Sequence, residues 1–140
     1  MLSRLSSCGL CAVALFTLTG CGGPTVVEVT GKLVLLPNTK LAEDDSITLI
    51  FSSQESGGAG ASVTLNKDMT FTAKAKPGKY KIVVAVSAYH GSKDSDKRTA
   101  SYKKNYDAFL LENTKLTYEV TSESPQNITI DLAQGRAAKN

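Results

Sequence analysis

From Thr25 onward the chain is dominated by short stretches in which apolar and polar residues alternate. A strand points successive side chains to opposite faces, so a period of two marks a half-buried strand. Over 25–36, Val27, Val29, Leu33 and Leu35 share one face, and Glu28, Thr30 and Lys32 share the other. Gly31, in the middle, predicts a bulge or a close backbone approach. The alternation returns at 46–52, with Ile47, Leu49 and Phe51 inward, at 61–65, and at 70–75, with Phe71, Ala73 and Ala75 inward. The strongest strand is expected over 80–89. Its centre, Ile82-Val83-Val84-Ala85-Val86, is apolar on both faces and predicts a central, covered strand. Leu116, Tyr118 and Val120 mark a sixth strand, and Ile128, Ile130 and Leu132 a seventh.

Turn-forming residues separate these runs. Pro37-Asn38-Thr39 opens a loop with Leu41 tucked beneath it, and the Ser/Gly-rich 52–60 reads as a flexible loop. Asn66-Lys67-Asp68 and Lys76-Pro77-Gly78-Lys79 read as tight turns, the latter with Pro and Gly in type II positions. Ser122 to Gln126, with Pro125, makes a further turn. Residues 90–104 break the rhythm with a polar stretch, and one helical turn is expected within 106–113. Residues 133–140 read as a flexible, frayed tail. The fold expected over 25–132 is all-β: a seven-stranded antiparallel β-sandwich, transthyretin-like or Ig-like, without long helical periodicity.

The N-terminus has a different character. Arg4 precedes an uncharged apolar run from Leu5 to Leu18. At roughly 14 residues, this run falls short of the about 20 that a membrane span needs, and it has the flanks of a signal peptide. It ends in Leu18-Thr19-Gly20-Cys21, which closely resembles the lipobox of bacterial lipoprotein signals. The resemblance implies recognition of Leu18, Thr19 and Gly20 by a signal peptidase, removal of residues 1–20, and a covalent lipid on Cys21. Residues 21–24 then form a short linker that holds the domain close to the bilayer. Gly22 follows the cysteine where an inner-membrane retention signal would have Asp, so the bacterial cell envelope at the outer membrane or periplasmic face is the expected location. Cys8 and Cys11 leave with the signal, and Cys21 is acylated, so no disulfide is expected in the mature fold.

A single domain of about 120 residues remains, long enough to bury a core. The full chain carries 16 basic and 13 acidic side chains, a balance that gives no case for a nucleic-acid partner. His90 is the one histidine, with Asp94 and Asp96 nearby, but no G-x-S-x-G accompanies it, and a triad requires a nucleophile on a strained turn. One histidine and no free thiol argue against zinc. Asp94-Ser95-Asp96 and Glu43-Asp44-Asp45 offer oxygen atoms, yet Lys97-Arg98 stand where a calcium loop needs a further ligand and glycine. The expectation is therefore a non-enzyme without a cofactor other than the lipid.

Val29-Thr30-Gly31-Lys32-Leu33, Asp68-Met69-Thr70-Phe71 and Lys76-Pro77-Gly78-Lys79-Tyr80 together resemble the carboxypeptidase-regulatory-like (transthyretin-like) domain of many small bacterial lipoproteins. Asn113-Thr114-Lys115-Leu116 and Ile128-Thr129-Ile130-Asp131-Leu132 fit its last two strands. Met69 departs from the family, which commonly has Asp-Gly at this turn. The resemblance implies a non-catalytic β-sandwich and names no common ligand.

Two surfaces are candidate sites. If the strands flanking Pro77 pair with each other, Lys74 faces Lys81 and Lys76 faces Lys79. Such a ladder of like charges wants water or an anion, and its place near Cys21 suggests anionic lipid headgroups. At the opposite end the 90–113 segment carries Tyr89, His90, Tyr102 and Tyr106, either capping the core or contacting a partner. The functional expectation is a membrane-anchored binding or structural module. The alternative is an accessory solute- or glycan-binding lipoprotein that uses the 90–113 loop, its partner an envelope protein or a glycan.

Overall fold

A computed structural model describes residues 25–91 and 93–140. The lipobox, Cys21 and the linker up to Pro24 lie outside the described residues. The strands are β1 (Val27–Val34), β2 (Ser46–Ser53), β3 (Ala61–Thr64), β4 (Thr70–Ala75), β5 (Gly78–Ser87), β6 (Thr117–Val120), β7 (Gln126–Asp131) and β8 (Arg136–Lys139). A helix, α1 (Ser95–Asn105), and a 3₁₀ turn, Asp107–Phe109, lie between β5 and β6. The strands form two four-stranded sheets, ordered β4-β1-β7-β8 and β3-β2-β5-β6.

The inward alternation sets the core. Val27, Val29 and Leu33 meet Phe71, Ala73, Ile128 and Ile130 on one sheet, and Ile47, Leu49, Phe51, Tyr80, Ile82, Val84 and Val86 face them from the other. Phe51 touches Tyr80 within its own sheet and Phe71 of the facing sheet, with ring centroids 6.2 Å apart in each pair, so its ring joins the two sheets across the core. β5 is a central strand, paired with β2 over Tyr80–Ser87 and with β6 only over Gly78–Lys81. Beyond Lys81, α1 and the 3₁₀ turn pack beside β5 in place of a longer β6.

Several expectations are corrected. The described residues form eight strands, where seven were expected. Residues 136–139, expected to fray, form β8, which closes a hairpin on β7 with Gly135 in the left-handed region at φ +62°. Arg136-Ala137-Ala138-Lys139 lacks large alternating apolar residues, so its backbone pairing leaves little trace in the sequence. The sandwich is not wholly antiparallel, because β1 and β7 run parallel. Gly31 makes no bulge; the register runs through it unbroken on both sides. It is a point of close approach, where a Cβ would lie 2.3 Å from the Ile128 carbonyl oxygen and 2.8 Å from the Phe71 ring. The polar stretch 90–104, for which no helix was expected, holds most of the eleven-residue α1, while the helical turn expected within 106–113 is the 3₁₀ turn Asp107–Phe109.

The correction that matters most concerns Lys76-Pro77-Gly78. β4 pairs with β1 and β5 with β2, so this segment is an arch between the two sheets and not a hairpin. The Tyr80 hydroxyl donates to the Lys76 carbonyl at 2.9 Å, the bond that secures a tyrosine corner in Greek-key sandwiches.

Candidate functional site

Strand direction divides the loops between two ends. Thr25 leaves β1 at the end that holds the Lys76–Gly78 arch, since Val27 pairs with Ala75. With β4 and β5 in different sheets, the lysine ladder does not form. Lys74 stands opposite Glu28, and Lys79 opposite Glu119, while Lys81 lies between Ser52 and Thr117. Each of the first two has a carboxylate across the strand, which removes the like-charge repulsion that argued for an anion there. Lys76 is exposed in the arch.

Gln126, at this same end, gave no signal in the sequence beyond its place in a turn. It is 1% exposed. Its side-chain nitrogen donates to the Thr121 and Glu123 carbonyls at 2.8 and 2.7 Å, and its side-chain oxygen accepts from the Tyr118 hydroxyl at 2.9 Å. A buried amide whose hydrogen bonds are satisfied in this way fixes the β6–β7 turn.

The loop 35–45, the turn 65–69 and the exit of β5 meet at the opposite end. Their organising group is Asp45, whose side chain has no solvent exposure. One carboxylate oxygen accepts from the Ala42 amide at 3.0 Å and from the Tyr102 hydroxyl at 2.5 Å. The other accepts from the Tyr89 amide at 3.3 Å and lies 3.1 Å from the Arg98 guanidinium. Burial works to raise the Asp45 pKa, but the bonds from Tyr102, Ala42 and Tyr89, with the charge of Arg98, outweigh it and hold the carboxyl below its ordinary value. Burial, reinforced by the bond to Asp45, pushes the Tyr102 phenol up.

This clasp explains the helix. With most of its positions polar, α1 has little apolar surface of its own to bury, and only Ser95 and Tyr102 are buried along it. Helices of this length are marginal without tertiary support. Arg98 and Tyr102, one turn apart on one face, reach back to Asp45, and Thr99 accepts the Ala88 amide. Tyr106, just after the helix, is 2% exposed and bonds Thr39 across the loop at 2.9 Å. Tyr102, Tyr106 and Phe109 therefore lie in the core, whereas Tyr89 and His90 are exposed. The four candidate partner residues do not share one surface. His90, Asp94 and Asp96 are all exposed, and among the described residues no three His, Cys, Asp or Glu side chains gather in a way that would hold a metal ion.

What the folding of these loops creates is a half-open depression of about 490 Å³. Leu41, Ile47, Leu65 and Met69 supply its apolar surface. Glu43 and Lys67, from opposite walls, form an exposed ion pair at 3.5 Å, with Asp44 beside them. Both walls are fixed by hydrogen bonds. The Asp45 amide closes a turn onto Ala42 at 3.0 Å, and on the other side the Met69 amide bonds Asn66 at 2.9 Å while Asp68 accepts from both the amide and the hydroxyl of Thr70. Met69 has φ +65°, a left-handed conformation that glycine adopts without strain and methionine does not.

No family model, curated protein or solved structure matches this chain.

Proposed function

We propose that the chain is a lipid-anchored lipoprotein of the bacterial cell envelope, with the β-sandwich as a non-catalytic binding or structural module. The observation that carries this reading is Leu18-Thr19-Gly20-Cys21 at the end of an uncharged apolar run, with only Gly22 to Val26 between the cysteine and β1. Two or three acyl chains on one residue meet the two-signal requirement for stable anchoring, since each buried CH₂ is worth about 0.8 kcal/mol. The polarity of the fold supports it. Thr25 emerges at the arch end, so an anchor at Cys21 would turn the apolar depression away from lipid. The carboxypeptidase-regulatory-like assignment belongs to the same reading, and is supported by two four-stranded sheets and by Met69 in the backbone conformation that its usual Asp-Gly turn calls for.

The test is the intact mass and detergent partitioning of the protein made in a bacterial host, beside a Cys21→Ala control. The expected product is cleaved before Cys21, carries added acyl mass and enters the detergent phase, and the control does none of these. A soluble, unacylated product cleaved elsewhere refutes the anchor.

A further inference from the structure

We infer that α1 is a releasable strap: it lifts from the end of β5 as a unit, with the Asp45 carboxylate as its latch, while both sheets stay folded. This holds whether or not Cys21 carries lipid, because every group of the latch lies between Lys40 and Tyr106.

The sandwich has little need of the strap. Of the eleven residues of α1 only Ser95 and Tyr102 are buried, and Tyr102 is the helix's contribution to the apolar cluster. The other members of that cluster come from the strands and from segments outside the helix. Just past the helix, Tyr106 is pinned to Thr39 at 2.9 Å and packs on the Phe109 ring, so the chain is fastened again where α1 ends. β5 draws its ladder from β2 over Tyr80–Ser87, and no strand pairing passes through α1. Beyond the end of β5, the Ala88 amide donates to the Thr99 hydroxyl at 3.3 Å. The latch itself is compact. The Asp45 side chain has no solvent exposure, and Arg98 and Tyr102, one turn apart on α1, both close on it, the guanidinium at 3.1 Å. The Tyr102 hydroxyl also lies 3.3 Å from the Lys40 carbonyl oxygen. Charge-assisted bonds of this kind are strong but short-ranged, so once Arg98 and Tyr102 leave Asp45 the helix has little else to hold it. An isolated helix of this length does not persist in water, so release and melting coincide. Segments with few buried apolar contacts open below the free energy of global unfolding. Release bares the Asp45 carboxylate and the end of β5, which the closed protein keeps from water.

The experiment is native-state hydrogen exchange, read residue by residue by NMR on the full chain in detergent micelles. In the wild type the amides of Thr99 to Asn105 and that of Ala88 should exchange together, with protection at least about a hundredfold below that of Val83 and Ala85, which pair with β2. Their exchange should also respond weakly to added guanidinium, because releasing α1 exposes little surface, whereas Val83 and Ala85 should respond steeply. Ile130→Val loosens the sandwich far from the latch. It should speed Val83 and Ala85 about fivefold and leave the α1 amides unchanged. Tyr102→Phe and Asp45→Asn weaken the latch, and should speed the α1 amides about tenfold and about a hundredfold.

If the α1 amides share the protection and guanidinium response of Val83 and Ala85, or are speeded by Ile130→Val, the helix leaves only with the whole fold and the strap is overturned. If Tyr102→Phe and Asp45→Asn leave α1 exchange unmoved, Asp45 is not its latch. The wild-type comparison needs no variant to fold, and the acyl mass on Cys21 is read separately, so failure of the anchor and failure of the strap are told apart.

Discussion

Asp45→Asn tests whether the Asp45 clasp holds this end of the molecule together. The substitution preserves shape but removes the charge and turns one acceptor into a donor. All four of its partners arrive as donors: the Ala42 and Tyr89 amides, the Tyr102 hydroxyl and the Arg98 guanidinium. The least costly placement puts the new NH₂ toward Tyr102, whose hydroxyl can rotate to accept. Even then the Ala42 amide loses its acceptor and Arg98 loses its counter-charge. Hydrogen bonds to charged groups are worth about 1.5–3 kcal/mol, and breaking a buried pair costs about 3–5. Arg98 is one-third exposed, which favours the lower end, so we expect a loss of about 3 kcal/mol, or a Tm lower by about 10–15 °C for a domain of this size.

Guanidinium unfolding at several pH values is the assay. The folded-state pKa of Asp45 lies below its ordinary 3.8, so its contribution is fully present above that value and is lost as pH falls through the lowered one. The gap between wild type and Asp45→Asn should therefore be constant near neutrality and shrink on acidification below the ordinary carboxylate range. Tyr102→Phe should cost about 1.5 kcal/mol in the wild type and clearly less in the Asn background, since the two groups share one bond. A gap under about 0.5 kcal/mol at pH 7, within the range of ordinary surface substitutions, would refute the reasoning. So would full additivity of the two changes.

Other substitutions probe the remaining features. Met69→Gly should be more stable than Met69→Ala by about 1 kcal/mol in thermal or denaturant unfolding, because both remove the side chain but only glycine relieves the left-handed strain. Gln126→Leu should cost about 3 kcal/mol by leaving the Thr121 and Glu123 carbonyls and the Tyr118 hydroxyl without their buried partner, and a neutral result would show that water replaces it. Gly31→Ala should also cost about 3 kcal/mol, since its Cβ meets the Ile128 backbone and not a flexible side-chain end; unchanged unfolding would mean that β1 and β7 can separate freely.

The alternation of apolar and polar residues determined by itself which positions face inward. Val27, Val29, Ile47, Leu49, Phe51, Phe71, Ala73, Ile82, Val84, Ile128 and Ile130 are all buried, because side-chain direction along a strand is local to that strand. Which strands pair was not legible. A hairpin of β4 on β5 gives the same inward residues as the arch that forms, so the pattern satisfies both topologies, and only the packing of two closed sheets separates them. That choice scattered the four lysines among different neighbours. The helix was hidden for a related reason: its support comes from Asp45, some fifty residues earlier, and not from an apolar stripe of its own. β8 was hidden because an edge strand is held by backbone bonds, to which side-chain pattern is blind. The depression was hidden too, since Leu41, Ile47, Leu65 and Met69 come from separate segments and form one surface only after the sandwich closes. Burial follows from neighbours along the chain; a site formed between loops depends on which strands lie side by side, and that is decided by the whole fold at once.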